Sequence, residues 1–287
     1  MKISNAQRAE ILIHALPYIK KYTGKVVVVK YGGNAMTSEV LKDSVAHDIV
    51  LLNLIGVKVV LVHGGGPEIT DMLQKIGKQT EFVDGLRVTD KETVDVAQMV
   101  LAGKINKSLV NLLECSGGKA IGLSGIDGHM IKAKIKDTRL GYVGTVTSVN
   151  PKPIQDLLEL DYIPVVSTIG CDDEGNVYNI NADTAAAKIA AALDAESLIT
   201  LTDIAGILRD KDDPDTLISH INVKETEQMI KDGVIVGGMI PKVQCCADAV
   251  KDGVKKVFII DGRVPHSILI ETLTDEGIGT MFEGDSK

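Results

Sequence analysis

The feature that most constrains the fold is a run of four valines at positions 26–29, followed after one lysine and one tyrosine by two glycines. Consecutive β-branched residues are typical of a strand that is buried on both faces, as in a parallel sheet covered by helices. Lys30 comes as this strand ends, and Gly32 and Gly33 let the backbone turn with its N–H groups open to a ligand. A cation and free amides at one strand end predict a phosphate or carboxylate site.

A second strand ends in a second glycine run. Residues 57–62 read VKVVLV, and after one histidine come Gly64, Gly65 and Gly66. Residues 38–54 predict a helix between the two strands, so the three elements form a βαβ unit with parallel strands. Because parallel strands end at the same edge of a sheet, we expect both glycine loops to contribute to one site.

The rest of the chain alternates strands with helices. Buried strands are predicted at residues 119–124, 163–168, 197–202 and 257–260. Residues 130–149 alternate apolar and polar side chains in part, which predicts an antiparallel excursion. We therefore predict an α/β fold, with an open, mostly parallel sheet sandwiched by helices and divided into two lobes. The expected divisions are a helical arm at 1–24, an N-terminal lobe at 25–194 and a C-terminal lobe at 195–287.

Three local patterns predict helix starts. Thr89 and Glu92 have the spacing of a capping box, which predicts a helix to about residue 102, followed by a separate helix to about residue 115. Apolar residues at helical spacing predict one helix over residues 4–22. Asp183 precedes an alanine-rich segment and is placed to cap its helix.

Composition argues against nucleic acid and membrane partners. The chain has 39 acidic and 31 basic residues, a net charge of −8, and only 3% aromatic residues with no tryptophan. A broad basic surface or a base-stacking platform is therefore not expected. No run approaches the roughly 20 apolar residues of a membrane span, and we see no secretory signal pattern. The four cysteines lack metal-binding spacing, so we expect reduced thiols in a cytoplasmic protein.

The residues that could carry chemistry lie near glycines and strand ends. The chain has neither a GxxxxGK[ST] loop nor a GxGxxG fingerprint, and its six histidines form no metal-ligand pattern. What remains is two lysines, Lys30 and Lys242, and two carboxylates, Asp183 and Asp203. Phosphoryl transfer uses such groups, because its catalysis is mainly positioning and charge stabilisation.

Six blocks of sequence carry a family resemblance. They occur in the order VVVVKYGGNAM, VLVHGGGP, DGLRVT, VYNINADTAAAKIA, LTDIAGIL and GGMIPKV. Together they resemble the amino acid kinase family from about residue 25 onward. The resemblance implies an αβα sandwich whose N-terminal lobe binds the acceptor and whose C-terminal lobe binds ATP. It is closest to the branch that phosphorylates the γ-carboxylate of N-acetyl-L-glutamate in arginine biosynthesis.

Two alternatives stay open at this point. One is another activity of the same family, on carbamate, glutamate or uridylate, although Arg87 and the NINAD block favour an acidic amino-acid derivative as acceptor. The other is a non-catalytic arginine sensor or interaction protein that keeps the fold. A damaged lysine pair would favour that second alternative, yet Lys30, Lys242 and Asp183 are all present.

The resemblance also implies roles for individual residues. Lys30 and Lys242 would flank the transferred phosphoryl group, and Asp183 would hold both lysines. Arg87, aided by Asn179, would pair with the α-carboxylate of the substrate, and Asp203 would either face the nucleotide or cap a turn. Backbone amides would bind the phosphoryl group at Gly32, Gly33 and Gly64, and the substrate at Gly65 and Gly66. ATP would arrive with Mg²⁺ held mainly by its phosphates, with no dedicated metal ligand in the chain.

The N-terminal helix and the tail HSILIETLTDEGIGTMF add a further resemblance, to the arginine-inhibited branch that assembles as a trimer of dimers. In that branch the N-terminal helices interlace between dimers. The resemblance implies that L-arginine binds near this helix, with Glu271 facing the guanidinium and with Tyr18, Lys211 and Gly277 nearby.

Overall fold

The computed structural model describes residues 4–36, 38–210 and 213–285, which form eleven α-helices and fourteen strands. The strands are β1 Val26–Tyr31, β2 Lys58–His63, β3 Phe82–Val83, β4 Leu86–Arg87, β5 Ala120–Ser124, β6 Ile131–Ile135, β7 Gly144–Val149, β8 Ile163–Ser167, β9 Ile169–Cys171, β10 Val177–Asn179, β11 Ser197–Thr202, β12 His220–Asn222, β13 Lys256–Asp261 and β14 Thr280–Glu283. The helices are α1 Asn5–His14, α2 Leu16–Tyr22, α3 Glu39–Leu54, α4 Gly66–Lys75, α5 Lys91–Gln98, α6 Asn106–Cys115, α7 Lys152–Glu159, α8 Ala182–Ala192, α9 Thr226–Lys231, α10 Met239–Lys251 and α11 Ser267–Leu273.

The main sheet has eight strands in the order β12-β14-β13-β11-β1-β2-β8-β5. All neighbours are parallel except β13 and β14, which confirms the predicted mostly parallel α/β fold. The valine strand lies at the centre, between β11 and β2. Val27 and Val29 pack into one core cluster and Val28 packs into another, so both faces of β1 are covered. This burial on two faces is the reason for the unbroken valine run.

The predicted antiparallel excursion is a second, four-stranded sheet in the order β10-β9-β6-β7. Strands β6 and β7 are antiparallel, as are β9 and β10. In the main sheet, the four strands from residues 197–283 lie on one side of β1 and the three others from residues 58–167 lie on the opposite side. The division into two lobes stays a prediction.

The helix starts differ from the sequence predictions in three places. Asp90, not Thr89, caps α5, because its side chain accepts a hydrogen bond from the Thr93 N–H, whereas the Thr89 hydroxyl donates to the Arg87 carbonyl. Asn181, not Asp183, caps α8. The arm is two helices, since Pro17 in the first turn of α2 has no N–H to continue the helix from α1.

One long helical run replaces the two predicted helices in the middle of the chain. A π-helical segment, Met99–Ile105, joins α5 to α6 without a break. Such segments are rare and are frequent at functional sites. Among the helices of the described residues, none combines the length and the apolar character that a membrane span requires.

Candidate active site

Lys30, Asp183 and Lys242 meet at the carboxyl edge of the main sheet. Lys30 Nζ lies 2.9 Å from Asp183 Oδ1, and Lys242 Nζ lies 3.3 Å from Asp183 Oδ2. Lys30 comes from the end of β1, Asp183 from the first turn of α8 and Lys242 from the first turns of α10. The structure therefore brings together the three residues that the sequence predicts as a catalytic group.

This cluster has two lysine ammonium groups but only one carboxylate. Burial would raise the pKa of Asp183, but the charges of Lys30 and Lys242 outweigh burial, and the pKa lies below its usual value. The carboxylate is therefore ionised near neutral pH and balances one of the two ammonium charges. One positive charge is left at the sheet edge, where an added anion would be attracted strongly because the surroundings are partly desolvated.

The first glycine loop lies against the Lys30 ammonium. A Cβ added at Gly32 would lie 3.3 Å from Lys30 Nζ, and Gly33 has a φ of +68°, in the left-handed region. Side chains at these positions would crowd the ammonium or strain the backbone. The glycine pair thus keeps the space beside Lys30 open.

The second glycine loop lines a cavity of about 190 Å³. Its wall includes all three glycines of the loop together with Arg87 and Asn179. Ala182 also lines the cavity and precedes Asp183, so the cavity opens next to the lysine cluster. The sequence missed the apolar part of the wall, which includes Ile69, Phe82, Leu101, Val143 and Ile180. These residues lie far apart in the chain, and no local pattern indicates that they meet.

Arg87 is buried in this wall, where its guanidinium group donates hydrogen bonds to neutral oxygens. Its Nη2 donates to the Gly66 carbonyl and to the Thr70 hydroxyl, both at 2.8 Å, and its Nη1 donates to the Thr80 hydroxyl at 3.1 Å. The Phe82 ring packs 4.7 Å from the guanidinium carbon. Within the described part of the chain, no carboxylate oxygen lies within 4.0 Å of Arg87 as an ion pair. A buried cation with only neutral partners favours an anionic ligand.

The amides of the second loop are not equivalent. The Gly64 N–H donates to the Tyr31 carbonyl at 3.1 Å, because the pairing of β2 with β1 continues by one more bond. The predicted role of Gly64 as an amide donor to phosphate is not supported by this geometry. Gly65 caps α4 and Gly66 begins it, and the N–H groups of a first helical turn have no partner inside the helix. Gly65 and Gly66 are therefore the donors available to a ligand.

Gly65 is packed too closely for any side chain. An added Cβ would lie 2.1 Å from Ile105 Cδ1 and 2.8 Å from Leu101 Cδ2. Both residues belong to the π-helical segment, whose extra residue per turn alters the direction of the side chains that follow. The sequence prediction of two ordinary helices could not show this contact.

Asp203 follows β11 at the same sheet edge. Its charge acts on Arg263, which is held by Asp261 through an Nη2–Oδ2 contact of 2.8 Å. Arg263 is a further basic residue at this edge that the sequence analysis missed. The predicted nucleotide contact of Asp203 stays a prediction.

The structure also brings two of the predicted arginine-site residues together. Glu271 Oε2 accepts hydrogen bonds from the N–H groups of Ile278 and Gly279, and a Cβ added at Gly277 would lie 3.1 Å from Glu271 Oε1. Helix α2, which contains Tyr18, packs against α11, which contains Glu271. Lys211 lies outside the described residues.

The chain is similar to known proteins over nearly its whole length. A sequence model of the amino acid kinase family matches residues 25–261. The acetylglutamate kinase of Brachyspira hyodysenteriae is 60% identical over 285 residues, which cover 99% of this chain and 99% of that protein. The acetylglutamate kinase of Clostridium beijerinckii is 52% identical over 283 residues, which cover 98% and 99%.

Solved structures share the fold. The N-acetylglutamate synthase of Neisseria gonorrhoeae, complexed with coenzyme A and N-acetyl-glutamate, has a TM-score of 0.85 at 26% identity. That match covers 97% of this chain and 64% of the synthase chain, so the present chain spans about two thirds of it. The carbamate kinase of Giardia lamblia bound to AMP-PNP has a TM-score of 0.66 at 19% identity and covers 92% of this chain and 100% of that chain. The chain is thus a kinase that belongs to the amino acid kinase family, and relatives that match it end to end are named acetylglutamate kinase.

Proposed function

We propose that this protein transfers the γ-phosphoryl group of ATP to the γ-carboxylate of N-acetyl-L-glutamate, giving N-acetyl-L-glutamyl 5-phosphate for arginine biosynthesis. The observation that carries the proposal is the Lys30–Asp183–Lys242 cluster beside a cavity whose buried cation, Arg87, has only neutral partners among the described residues. The relatives named acetylglutamate kinase support the choice of acceptor.

In this proposal the acceptor lies in the cavity of the second glycine loop. Arg87 pairs with its α-carboxylate, and the N–H groups of Gly65 and Gly66 bind its other oxygens, with Asn179 alongside. The apolar wall of the cavity, which includes Leu101 and Val143, suits the acetyl methyl group. The γ-carboxylate then points past Ala182 toward the lysine cluster.

The reaction forms a bond between a γ-carboxylate oxygen and the γ-phosphorus and breaks the bond to the bridging oxygen of ADP. Lys30 and Lys242 stabilise charge on the attacking side and the leaving side, while Asp183 holds both ammonium groups in place. The open space at Gly32 and Gly33 admits the phosphoryl oxygens. The nucleotide is proposed to lie toward Asp203 in the residue 195–287 lobe.

A divalent cation fits this arrangement only as part of the nucleotide. Within the described residues, no three His, Cys, Asp or Glu side chains gather as a metal site. Mg²⁺ would therefore take its ligands mainly from the phosphates of ATP, whose charge it would partly neutralise. Asp183 is committed to two lysines and is not proposed as a ligand.

The test is a coupled assay of ADP formation with ATP and Mg²⁺, run against N-acetyl-L-glutamate, L-glutamate, carbamate and UMP. We expect turnover with N-acetyl-L-glutamate and at most traces with the others. Turnover with UMP, glutamate or carbamate but not with N-acetyl-L-glutamate would reject the proposed acceptor and favour another activity of the family.

We further propose feedback inhibition by L-arginine at Glu271. Its Oε2 is held by two backbone N–H groups, so Oε1 is fixed beside Gly277, where a guanidinium could approach without meeting a side chain. Replacing Glu271 by Gln should raise the arginine concentration for half-inhibition about tenfold or more, since a charge-assisted pair is lost. The control is Glu276→Gln, at an exposed position in the same segment. A wild-type enzyme that ignores millimolar arginine would remove this proposal.

The assembly is proposed to be a trimer of dimers joined by the arm. Helix α1 exposes three large apolar side chains in the isolated chain, Ile11, Leu12 and Ile13, with 59–71% of their surface accessible. We propose the same helix of a second copy as the occupant, because an apolar helical face of this size is unfavourable in water. Measurement of the solution mass tests this, with Leu12→Asp expected to give a smaller species and a hexamer in that variant counting against the arm.

A further inference from the structure

A histidine and an asparagine lie buried directly beneath the second glycine loop. His63 ends β2 and has no accessible surface, and Asn106 begins α6 and is 1% exposed. His63 Nδ1 lies 2.9 Å from the Gly64 carbonyl oxygen, and its Nε2 lies 3.2 Å from Asn106 Nδ2. Neither residue lines the acceptor cavity.

The partners of the imidazole determine which nitrogen carries the proton. A carbonyl oxygen can only accept, so Nδ1 must be the donor to Gly64. The neutral ring then presents an unprotonated Nε2, which accepts from Asn106. The asparagine orientation is fixed independently, because Nδ2 also lies 2.8 Å from the Val165 carbonyl oxygen and 3.2 Å from the Leu123 carbonyl oxygen, so that its two hydrogens are shared among three acceptors. The opposite orientation would place the amide oxygen against two carbonyl oxygens.

Burial keeps the imidazole neutral. Desolvation lowers the pKa of His63 to about 4, although the bond to Gly64 acts in the opposite direction. Within the described residues, no ion pair to His63 is formed. The ring is therefore a fixed donor over the pH range in which a kinase would work.

We propose that His63 is a positioning residue for the acceptor site: by holding the Gly64 carbonyl, it turns the N–H of Gly65 toward the cavity. The physical reason is the planar trans peptide, in which the carbonyl of Gly64 and the N–H of Gly65 point in opposite directions. The described chain has no cis peptide bond. With the carbonyl held by the buried ring, the N–H lies on the cavity side, and Asn106 holds the ring.

This role requires that the Gly65 N–H has no other acceptor and that the loop stays in place, and Gly65 meets both conditions. Its N–H donates to no described residue, and its close packing against Ile105 and Leu101 prevents the loop from moving toward the π-helical segment. A loop of three glycines would otherwise sample many peptide orientations. The hydrogen bond from His63 therefore fixes a peptide orientation that the glycines alone would leave variable. This inference rests on the proposed function, because it assigns the Gly65 N–H to the acceptor.

The kinetic test compares two amides at position 63. In His63→Asn the side-chain nitrogen falls near the position of Nδ1, whereas in His63→Gln it falls near Nε2, so only the first can donate to Gly64. We expect His63→Asn to stay within about threefold of wild type, and His63→Gln to raise the KM for N-acetyl-L-glutamate about tenfold or more, the value of one lost bond to a carboxylate. The KM for ATP should change little in both variants.

A general loss of structure would give a different pattern. The control is Val62→Ala, a change in the buried core on the same strand. The valine side chain cannot donate a hydrogen bond, so this variant should lower the melting temperature without changing the KM for the acceptor. Equal kinetics for His63→Asn and His63→Gln would overturn the proposal, as would equal increases in the KM values for both substrates.

A spectroscopic measurement is independent of activity. Free neutral histidine favours a proton on Nε2, so a ¹⁵N–¹H correlation spectrum at pH 7 that shows His63 protonated on Nδ1 would support the proposal. Assignment follows from the signal that disappears in His63→Asn. A proton on Nε2 would overturn the inference even if the kinase assay succeeds. A correct tautomer together with no turnover on any acceptor would instead reject the proposed function.

Discussion

Lys30 and Lys242 contact opposite oxygens of one carboxylate, that of Asp183, at 2.9 Å and 3.3 Å. The two lysines come from different parts of the chain: Lys30 ends β1, whereas Lys242 lies in the first turns of α10, which packs against α8, the helix that carries Asp183. Two cations on one carboxylate leave an unbalanced positive charge. A phosphoryl group in transfer spreads negative charge over several oxygens, so this surplus is placed where the transition state needs it.

Replacing either lysine by methionine should lower kcat about 10²–10³-fold, while the dissociation constants for ATP and the acceptor change much less. The reason is that the charge acts most strongly on the transition state. Steady-state kinetics with direct binding measurements separate the two effects. The matched control is Lys188→Met. Lys188 lies on α8, the same helix as Asp183, and is a partly exposed lysine that pairs with Asp252. Equal losses in kcat and binding would favour the non-catalytic binding protein.

Arg87→Lys should raise the KM for the acceptor about 10–100-fold and leave the KM for ATP nearly unchanged. Lysine keeps the charge but cannot hold Gly66, Thr70 and Thr80 while also pairing with a carboxylate through two N–H groups. Initial-rate measurements with each substrate varied check this. Arg139→Lys is the control, because Arg139 is an exposed arginine paired with Asp137. An unchanged KM for the acceptor in Arg87→Lys would remove Arg87 from the site.

Gly65→Ala should destabilise the protein by roughly 1–3 kcal/mol through overpacking, because its Cβ would overlap Ile105 Cδ1. Adding Ile105→Val removes that Cδ1 and should recover part of the loss. Chemical denaturation measures both effects. Gly103→Ala, in the same π-helical segment but with open space around its Cβ, should not destabilise the protein. No recovery in the double variant would show that the contact with Ile105 is not the cause.

Stability should depend on pH through His63. Its pKa is lowered to about 4 by burial, so between the usual value of 6.5 and 4 the unfolded chain binds more protons than the folded one. The free energy of unfolding should therefore be highest above pH 6.5 and fall as the pH drops toward 4, with about 3 kcal/mol of that loss due to His63. The difference between wild type and His63→Asn, measured by denaturation at several pH values, isolates this contribution. A difference that stays constant with pH would contradict the prediction.

The local patterns in the sequence were sufficient for the layers of the fold. Apolar runs and glycine stops located six of the eight strands of the main sheet, and the order of strands and helices indicated their parallel pairing. The short edge strands β12 and β14 were missed. The Thr89–Glu92 spacing fits a capping box and predicts Thr89 as the cap of α5. In the structure the Thr89 hydroxyl donates to the Arg87 carbonyl, and Asp90 caps the helix. Which of two adjacent polar residues caps a helix depends on where the preceding turn directs them, and that is set by packing.

The sequence by itself determined the chemistry available to this protein: two lysines near glycines, a carboxylate at the start of an alanine-rich segment, and an arginine in a polar hairpin. These residue types and their positions beside strand ends limit the site to binding and transferring anions. Only the tertiary structure decided how the groups meet, including the shared Asp183, the π-helical contact of Ile105 with Gly65, and the His63–Asn106 pair beneath the loop. The physical reason is that burial and turn preferences act between near neighbours in sequence, whereas these contacts depend on the packing of elements that are distant along the chain.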